Sequence, residues 1–256
     1  VPSKDLKSLE LNKQGFIAEY NRANNIKTFG SVFNRPLQFR LFKDVQDHRY
    51  NQMFFMPVVK YNLYDGVTTG LKLYNKTILP KGVHYKLEPL YGFTSKTLIG
   101  SASVQYTNQF EQGKLRSIRY GFSGNYFSYD TGVFYKRFTP FMTFSFANQD
   151  IRKNEKQFIN LRNVNVSRDI NPNNPQQDPN YSVFNASYVY SNPNLINYYR
   201  SVVDYQISSK FSKIALTFDY RKLFENNRQV NLRLFAGVFL FNDTKQSDDF
   251  FSFALD

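Results

Sequence analysis

The stretch "TPFMTFSFAN", residues 139–148, decides how we interpret the chain, because its side chains separate by alternate positions. Successive side chains of a β-strand point to opposite faces. One face of this strand would carry Pro140, Met142, Phe144 and Phe146, and the other Thr139, Phe141, Thr143 and Ser145. The stretch therefore predicts a strand with one face of large apolar groups and one mostly polar face.

The same alternation recurs along the chain. Residues 229–242, "QVNLRLFAGVFLFN", place apolar groups at every second position, opposite Asn231, Arg233 and Gly237. Helical spacing would not separate them in this way. Further strands are predicted at 37–43, 51–61, 67–74, 84–93, 97–107, 117–126, 133–147, 157–167, 181–191, 197–208, 213–221 and after 249. The pattern predicts an all-β chain of about a dozen strands.

Composition agrees with a β-protein and limits its chemistry. The 256 residues include 19 Tyr and 27 Phe, with no Trp and no Cys. Aromatic side chains favour strands, because flat rings pack well on a pleated surface. Without cysteine, the chain has neither disulfides nor thiolate metal sites.

Strand length separates two folds that the alternation alone leaves open. A soluble sandwich or barrel would turn its polar face to water, whereas a membrane barrel would turn it to the lumen. Soluble strands average about 5 to 6 residues, and the predicted strands are nearer the roughly 10 needed to cross a bilayer. Tyr and Phe also cluster at strand ends, as in interfacial girdles. We therefore predict an antiparallel transmembrane β-barrel of about 12 or more strands, with the soluble fold as the alternative.

The chain divides into two segments. Residues 1–35 show neither period and are interpreted as a linker or periplasmic approach segment, and residues 36–256 as the barrel. We expect the chain to be an internal piece of a longer precursor, so that closing strands can lie beyond Asp256. Two places depart from the pattern: the long connection 168–180 falls where a short turn is expected, and the apolar set changes face within 157–167. The second departure suggests a bulge or a merged strand.

Basic residues outnumber acidic residues, giving a net charge of +13. They are spread singly and not gathered in runs, so we predict no nucleic-acid binding. Six of them lie on predicted polar faces and are candidate lumen-facing residues: Arg40, Lys72, Arg119, Arg200, Arg221 and Arg233. They can line an anion-preferring pore, or pair with Asp204, Asp219 and Glu88 and fill the barrel.

No catalytic, cofactor-binding or metal-binding residues are predicted. His48 and His84 are the only histidines, and neither has a second histidine at ligand spacing. H-E-x-x-H and G-x-S-x-G are both absent. No cofactor is expected for this segment.

Four stretches carry a resemblance to a family: "YNLYDGVTTGLKLYNKTILPK" (61–81), "YKLEPLYGFTSKTLIGSASVQYT" (85–107), "IRYGFSGNYFSYDTGVFYKRFTPFMTFSF" (118–146) and "NLRNVNVSRDINPNNP" (160–175). They resemble the C-terminal region of large flavobacterial outer-membrane proteins with a gluzincin-type, aminopeptidase-like metallopeptidase domain ahead of a β-barrel. The resemblance covers roughly residues 36–190. It implies a barrel in the outer membrane of a Bacteroidota cell, in contact with lipid and lipopolysaccharide.

The function expected from sequence is therefore anchorage of a larger surface or periplasmic protein, or its docking with other outer-membrane proteins in a complex, without chemistry of its own. A pore passing anionic solutes is the first alternative. A second is that the segment is the barrel portion of a membrane-tethered zinc peptidase whose catalytic domain lies upstream. No position here matches that family's zinc motif.

Overall fold

The computed structural model describes residues 6–19, 22–29, 33–42, 47–75, 82–148, 150, 152–172 and 180–243. These residues form strands, apart from connections and one short 3-10 turn, Arg22–Asn24. The strands are Ser8–Glu10 (β1), Ile26–Thr28 (β2), Leu37–Leu41 (β3), Asn51–Asn62 (β4), Gly66–Tyr74 (β5), Val83–Gly92 (β6), Thr97–Gln109 (β7), Leu115–Asp130 (β8), Val133–Phe146 (β9), Lys156–Arg168 (β10), Tyr181–Pro193 (β11), Asn197–Ile207 (β12), Phe211–Leu223 (β13) and Gln229–Asn242 (β14). The all-β prediction is confirmed.

Strands β3 to β14 form one twelve-stranded sheet in chain order, so each strand pairs with its neighbours in sequence. Every pair from β4 to β14 is antiparallel. The described ranges contain no helix with the length and hydropathy that a membrane span needs. The predicted strand after 249 lies outside the described residues.

The pairing of β3 differs from the antiparallel prediction. β3 runs parallel to β4, with Leu37 opposite Asn51 and Leu41 opposite Phe55. A parallel pair needs a connection that returns the chain to the end where the first strand began. Residues 42–50 join the two strands in the sequence, and residues 43–46 among them lie outside the described residues.

The predicted closure into a barrel is not present in the described part of the chain, where β3 and β14 are the sheet edges. Strand direction gives the physical reason. β4 and β14 run the same way because an even number of antiparallel steps separates them, and β3 shares that direction. The two edges therefore cannot form an antiparallel pair directly, and antiparallel closure requires an odd number of additional strands.

Strand β10 explains the change of face within 157–167. It is one continuous strand, and its pairing with β11 runs without a register shift from Lys156 to Val166. The predicted bulge or merged strand is therefore wrong. Ile159 and Leu161 share the face of Phe144 and Met142, whereas Val166 lies on the opposite face and is buried.

The segment 1–35, interpreted as a linker, contains a small separate sheet. β1 and β2 pair antiparallel, with Leu9 opposite Lys27. Asn12 supports the intervening loop by donating to the Ile17 carbonyl and accepting from the Ile17 N–H. Three-residue strands have too little sequence for a period to be recognised.

The twelve-stranded sheet is curled at the end where β4 meets β5. Asn62 ends β4 and Ser128 lies near the end of β8, four strands away. Strand spacing of about 4.8 Å would separate them by roughly 19 Å along the sheet. Asn62 Nδ2 nevertheless donates to the Ser128 carbonyl at 2.8 Å. The face of the sheet that carries the Asn62 side chain therefore lies inside the curl.

Candidate functional site

One face of the sheet, here called the apolar face, is exposed. The pairing places Leu234 opposite Phe218, Leu216 opposite Val203, and Phe122 opposite Pro140, and all of these share one face. Exposed large side chains on this face, from β3 to β14, include Phe39, Val59, Leu71, Tyr91, Leu98, Tyr120, Phe122, Phe138, Met142, Tyr188, Leu216 and Leu234. Together with Val203 of β12, they place exposed apolar side chains on eleven of the twelve strands.

The opposite face, here called the polar face, carries the side chains that are buried within the strand ladders. Phe54, Leu90, Ile99, Val166 and Val183 are buried there, together with Gln52, Thr68, Glu88, Thr143, Asn185 and Ser191. A sheet folded in water buries its apolar face. In this sheet the polar face is enclosed and the apolar face is exposed, which is the reverse arrangement.

The six candidate lumen residues all lie on the polar face. Arg40 pairs with Phe54, Lys72 with Met56, and Arg119 with Thr107 and Thr143. The remaining three, Arg200, Arg221 and Arg233, lie in β12, β13 and β14. The structure therefore groups the six by face but spreads them across the sheet, with only the last three as neighbours.

Two of those last three arginines, Arg200 and Arg233, lie near one carboxylate, and Arg221 is on the same strand as that carboxylate. Arg200 Nη1 lies 3.9 Å from Asp219 Oδ2, and Arg233 Nε lies 3.7 Å from Asp219 Oδ1. The guanidinium of Arg221 lies 5.4 Å from the centre of the Tyr198 ring. Both Asp219 distances are within ion-pair range but exceed hydrogen-bond length. We call Arg200, Asp219, Arg221 and Arg233 the arginine cluster.

Glu88 is neutralised by residues that the sequence interpretation did not assign to it. Its carboxylate is buried and bonds Lys60, and its second oxygen lies 3.2 Å from Lys86 Nζ. Lys72, one of the six candidate residues, lies instead over the Tyr74 ring, with its Nζ 5.3 Å from the ring centre. Glu88 thus pairs with Lys60 and Lys86, which are not among the six candidate lumen residues.

Asp204 takes part in a hydrogen-bond network and not in an ion pair among the described residues. Asn185 donates to Asp204 Oδ2 at 2.8 Å, and Gln206 donates to Oδ1 at 2.8 Å. Arg162 Nε donates to Asn185 Oδ1 at 3.0 Å, which connects the carboxylate to a cation through one amide. Polar side chains therefore fill this part of the face.

The polar face carries more basic residues than the six predicted. The others in its ladders are Lys60, Lys86, Arg137, Lys156, Arg162, Arg168 and Lys213. The acidic residues in the same ladders, within the described ranges, are Glu88, Asp130, Asp204 and Asp219. The alternation of side chains within each strand was the signal that could have identified these further residues, because each occupies a polar-face position of its strand. Thirteen of the 33 Lys and Arg residues of the chain thus lie on this face.

Comparison with known proteins gives no name to this surface. No family model, curated protein or solved structure matches the chain. Among the described residues, no group of three or more His, Asp or Glu side chains is placed to hold a metal ion. The features of the molecule that indicate its function are therefore the two faces of the sheet and the arginine cluster.

Proposed function

We propose that this chain forms the wall of a transmembrane β-barrel in a bacterial outer membrane. In this role it anchors a larger surface or periplasmic protein, or docks it in an outer-membrane assembly. The single observation that carries the proposal is the arrangement of the faces: Leu216 and Leu234 are 45% and 55% exposed on the outside of the curl, while Glu88 and Thr143 are buried inside it. Hydrocarbon would cover the first pair favourably, and water would not.

Strand dimensions support the same proposal. The strands β4 to β14 contain 9 to 16 residues, and about 9 to 11 residues cross a bilayer when tilted. The partners of the apolar face would then be outer-membrane lipid and lipopolysaccharide. The resemblance to the barrel region of flavobacterial proteins supports this localisation.

A membrane location also requires that the two edges of the sheet be paired. Backbone N–H and C=O groups cannot be left unpaired in hydrocarbon, so a membrane-spanning sheet must close. The edges β3 and β14 must therefore pair with additional strands, either from the rest of the protein or from a partner in the assembly. The count of additional strands between them is odd if all new pairs are antiparallel.

Tryptophan scanning tests the proposal without background, since the chain has no Trp. Phe138 and Phe141 lie on opposite faces of β9. Single variants Phe138→Trp and Phe141→Trp would be reconstituted in vesicles with and without brominated lipid. Bromine on the acyl chains should quench Trp at 138 strongly and Trp at 141 weakly, because only the apolar face meets lipid.

Equal, weak quenching at both positions would contradict the proposal and favour a soluble sheet covered by protein. The pair Phe144→Trp and Thr143→Trp repeats the comparison on the same strand and guards against a local artefact. Fluorescence emission in detergent-free buffer gives a further control. A chain that stays dissolved there, with a buried Trp at 138, would refute membrane insertion.

A second candidate function, a pore for anionic solutes, is favoured by the charge of the polar face. Its ladders hold many more Lys and Arg than carboxylates within the described ranges. A lumen lined in this way would attract anions and repel cations. Side chains that fill the curl, such as the Arg162, Asn185 and Asp204 network, oppose conduction.

Planar-bilayer conductance of the purified protein distinguishes the two candidates. A filled anchor should be electrically silent, whereas a pore should conduct with a reversal potential that shows anion selectivity. Conductance without anion preference would contradict the pore as argued here.

A further inference from the structure

The arginine cluster has an excess of positive charge that no described residue neutralises. Asp219 is the only carboxylate among its members, and two of the three guanidinium groups, those of Arg200 and Arg233, lie within ion-pair range of it. The register places Arg200, Asp219 and Arg233 directly opposite one another on three adjacent strands. Arg221 lies two residues from Asp219 on the same strand and therefore on the same face. One carboxylate leaves about two positive charges in the cluster.

The arginines make no hydrogen bond to Asp219, and the side chains of Arg200 and Arg233 are open to solvent. The Asp219 contacts of 3.7 and 3.9 Å are too long for hydrogen bonds. Arg221 Nε is buried and meets no acceptor among the described residues. A buried donor without an acceptor is costly, about 1–3 kcal/mol or more when charged. The cluster is therefore an incomplete polar network that an acceptor of opposite charge would complete.

Space for such an acceptor exists beside the arginines. A cleft of about 350 Å³ is lined by Arg221, Arg233 and Asp219 of the cluster, together with Tyr198, Tyr220, Asn231 and Leu232. Asn231 accepts a bond from Gln229 through Oδ1 at 2.8 Å, so its amide N–H groups are left to donate. The Tyr198 ring under Arg221 supports the guanidinium plane. The cleft offers donors and cations together.

We propose that the arginine cluster binds a doubly charged oxyanion, namely the phosphate, sulfate or paired carboxylate group of a small solute. Guanidinium groups bind such oxyanions through two parallel N–H···O bonds. The excess charge of the cluster matches two negative charges. This inference goes beyond membrane anchorage, and binding does not depend on whether the sheet inserts in a bilayer.

Isothermal titration of the purified full chain with inorganic sulfate and with inorganic phosphate tests the proposal. Saturable binding of one anion per chain is expected. Arg221→Gln should weaken the affinity at least about tenfold, as expected for loss of charge-assisted hydrogen bonds. Arg221→Lys should recover part of the loss, because it restores the charge but not the planar fork.

Arg119→Gln is the matched control, since Arg119 lies on the same face but on β8, four strands from β12. It should leave the affinity unchanged. A loss equal to that of Arg221→Gln would show general attraction by the basic face and overturn a discrete site, as would linear, unsaturable binding. Arg233→Gln repeats the test at a side chain that is 73% exposed, where a substitution should change stability little. Unaltered affinity in both cluster variants would also overturn the proposal.

This experiment is separable from the tryptophan scan. Anion binding can fail while Trp at 138 remains quenched by lipid, which would remove the site and keep the barrel. The reverse result would remove the barrel and keep the site.

Discussion

At the scale of single residues, the carboxylate of Asp65 accepts three hydrogen bonds. It is fully buried in the turn between β4 and β5. Ser128 donates to it through both Oγ, at 2.5 Å, and the backbone N–H, at 3.1 Å, and Asn62 donates at 2.9 Å. The carboxylate thus joins the end of β4 to the end of β8. A turn aspartate in the sequence gives no indication of a partner 63 residues away.

Asp65→Ala should therefore lower the free energy of unfolding by about 3 kcal/mol, because it leaves buried donors without an acceptor. The exposed Asp150, which accepts one bond from the Arg152 N–H at 3.0 Å, supplies the control variant Asp150→Ala, with a loss below about 1 kcal/mol. Denaturant unfolding of the refolded chain measures both. Similar losses for the two variants would contradict the role assigned to Asp65.

Gly100 of β7 is a residue at which a side chain would collide with the backbone of the neighbouring strand. Its φ is +145°, and a Cβ there would lie 2.0 Å from the Glu88 carbonyl oxygen of β6. Gly100→Ala should cost about 2 kcal/mol or more, since both the backbone and the neighbouring strand must shift. Gly124→Ala is the comparison, because its Cβ would meet only the Arg137 carbonyl oxygen, at 3.1 Å. Thermal or denaturant unfolding should separate the two variants.

At the scale of strands, period-2 alternation was sufficient to locate the elements of the large sheet. Aromatic and β-branched residues at every second position fix a strand and its faces locally, so predicted and observed bounds differ by a few residues. The pairing partners and faces of some strands could not be predicted from the sequence pattern alone. The parallel pair β3–β4 depends on a crossover, and the faces of β10 depend on neighbours that bury Val166 inside the curl.

The candidate site was predictable only as a face. Parity placed Arg200, Arg221 and Arg233 on polar positions, but strand order and register were needed to bring them around Asp219. Likewise, Lys60 reaches Glu88 from two strands away. No local pattern encodes such contacts, since the curvature of the whole sheet creates them.

Strand β13 allows a direct test of the two faces through adjacent residues. Leu216→Arg would place a charge on the apolar face, at a cost of about 2–4 kcal/mol near the bilayer midplane. Thr217→Arg places the same charge on the polar face and should retain most of the folding yield. Folding into lipid vesicles, followed by protease protection, measures the difference. Equal yields would indicate that lipid does not contact Leu216.

At the scale of the whole molecule, the curl of the sheet makes a distance prediction. Lys60 of β4 and Asn125 of β8 line one cleft of about 250 Å³, although a flat sheet would separate these strands by roughly 19 Å. The absence of Cys permits clean labelling. Lys60→Cys combined with Asn125→Cys should be joined by a short bis-maleimide, as seen by altered migration in denaturing gels.

The control for this prediction uses the other end of β8. Lys60→Cys combined with Ser117→Cys should not be joined, because eight residues of strand separate Ser117 from Asn125, about 27 Å. Crosslinking of both pairs, or of neither, would contradict the curl described here.

The chain-order pairing of β4 to β14 has a consequence for assembly. Since each strand pairs with the strand that precedes it in the chain, growth can proceed strand by strand from one edge, and the longest connection to close is that between Arg168 and Tyr181. The final edge, β14, then stays available as a template for the next strand to arrive. Assembly of the sheet would end only when a further strand, running in the right direction, pairs with the free edge of β14.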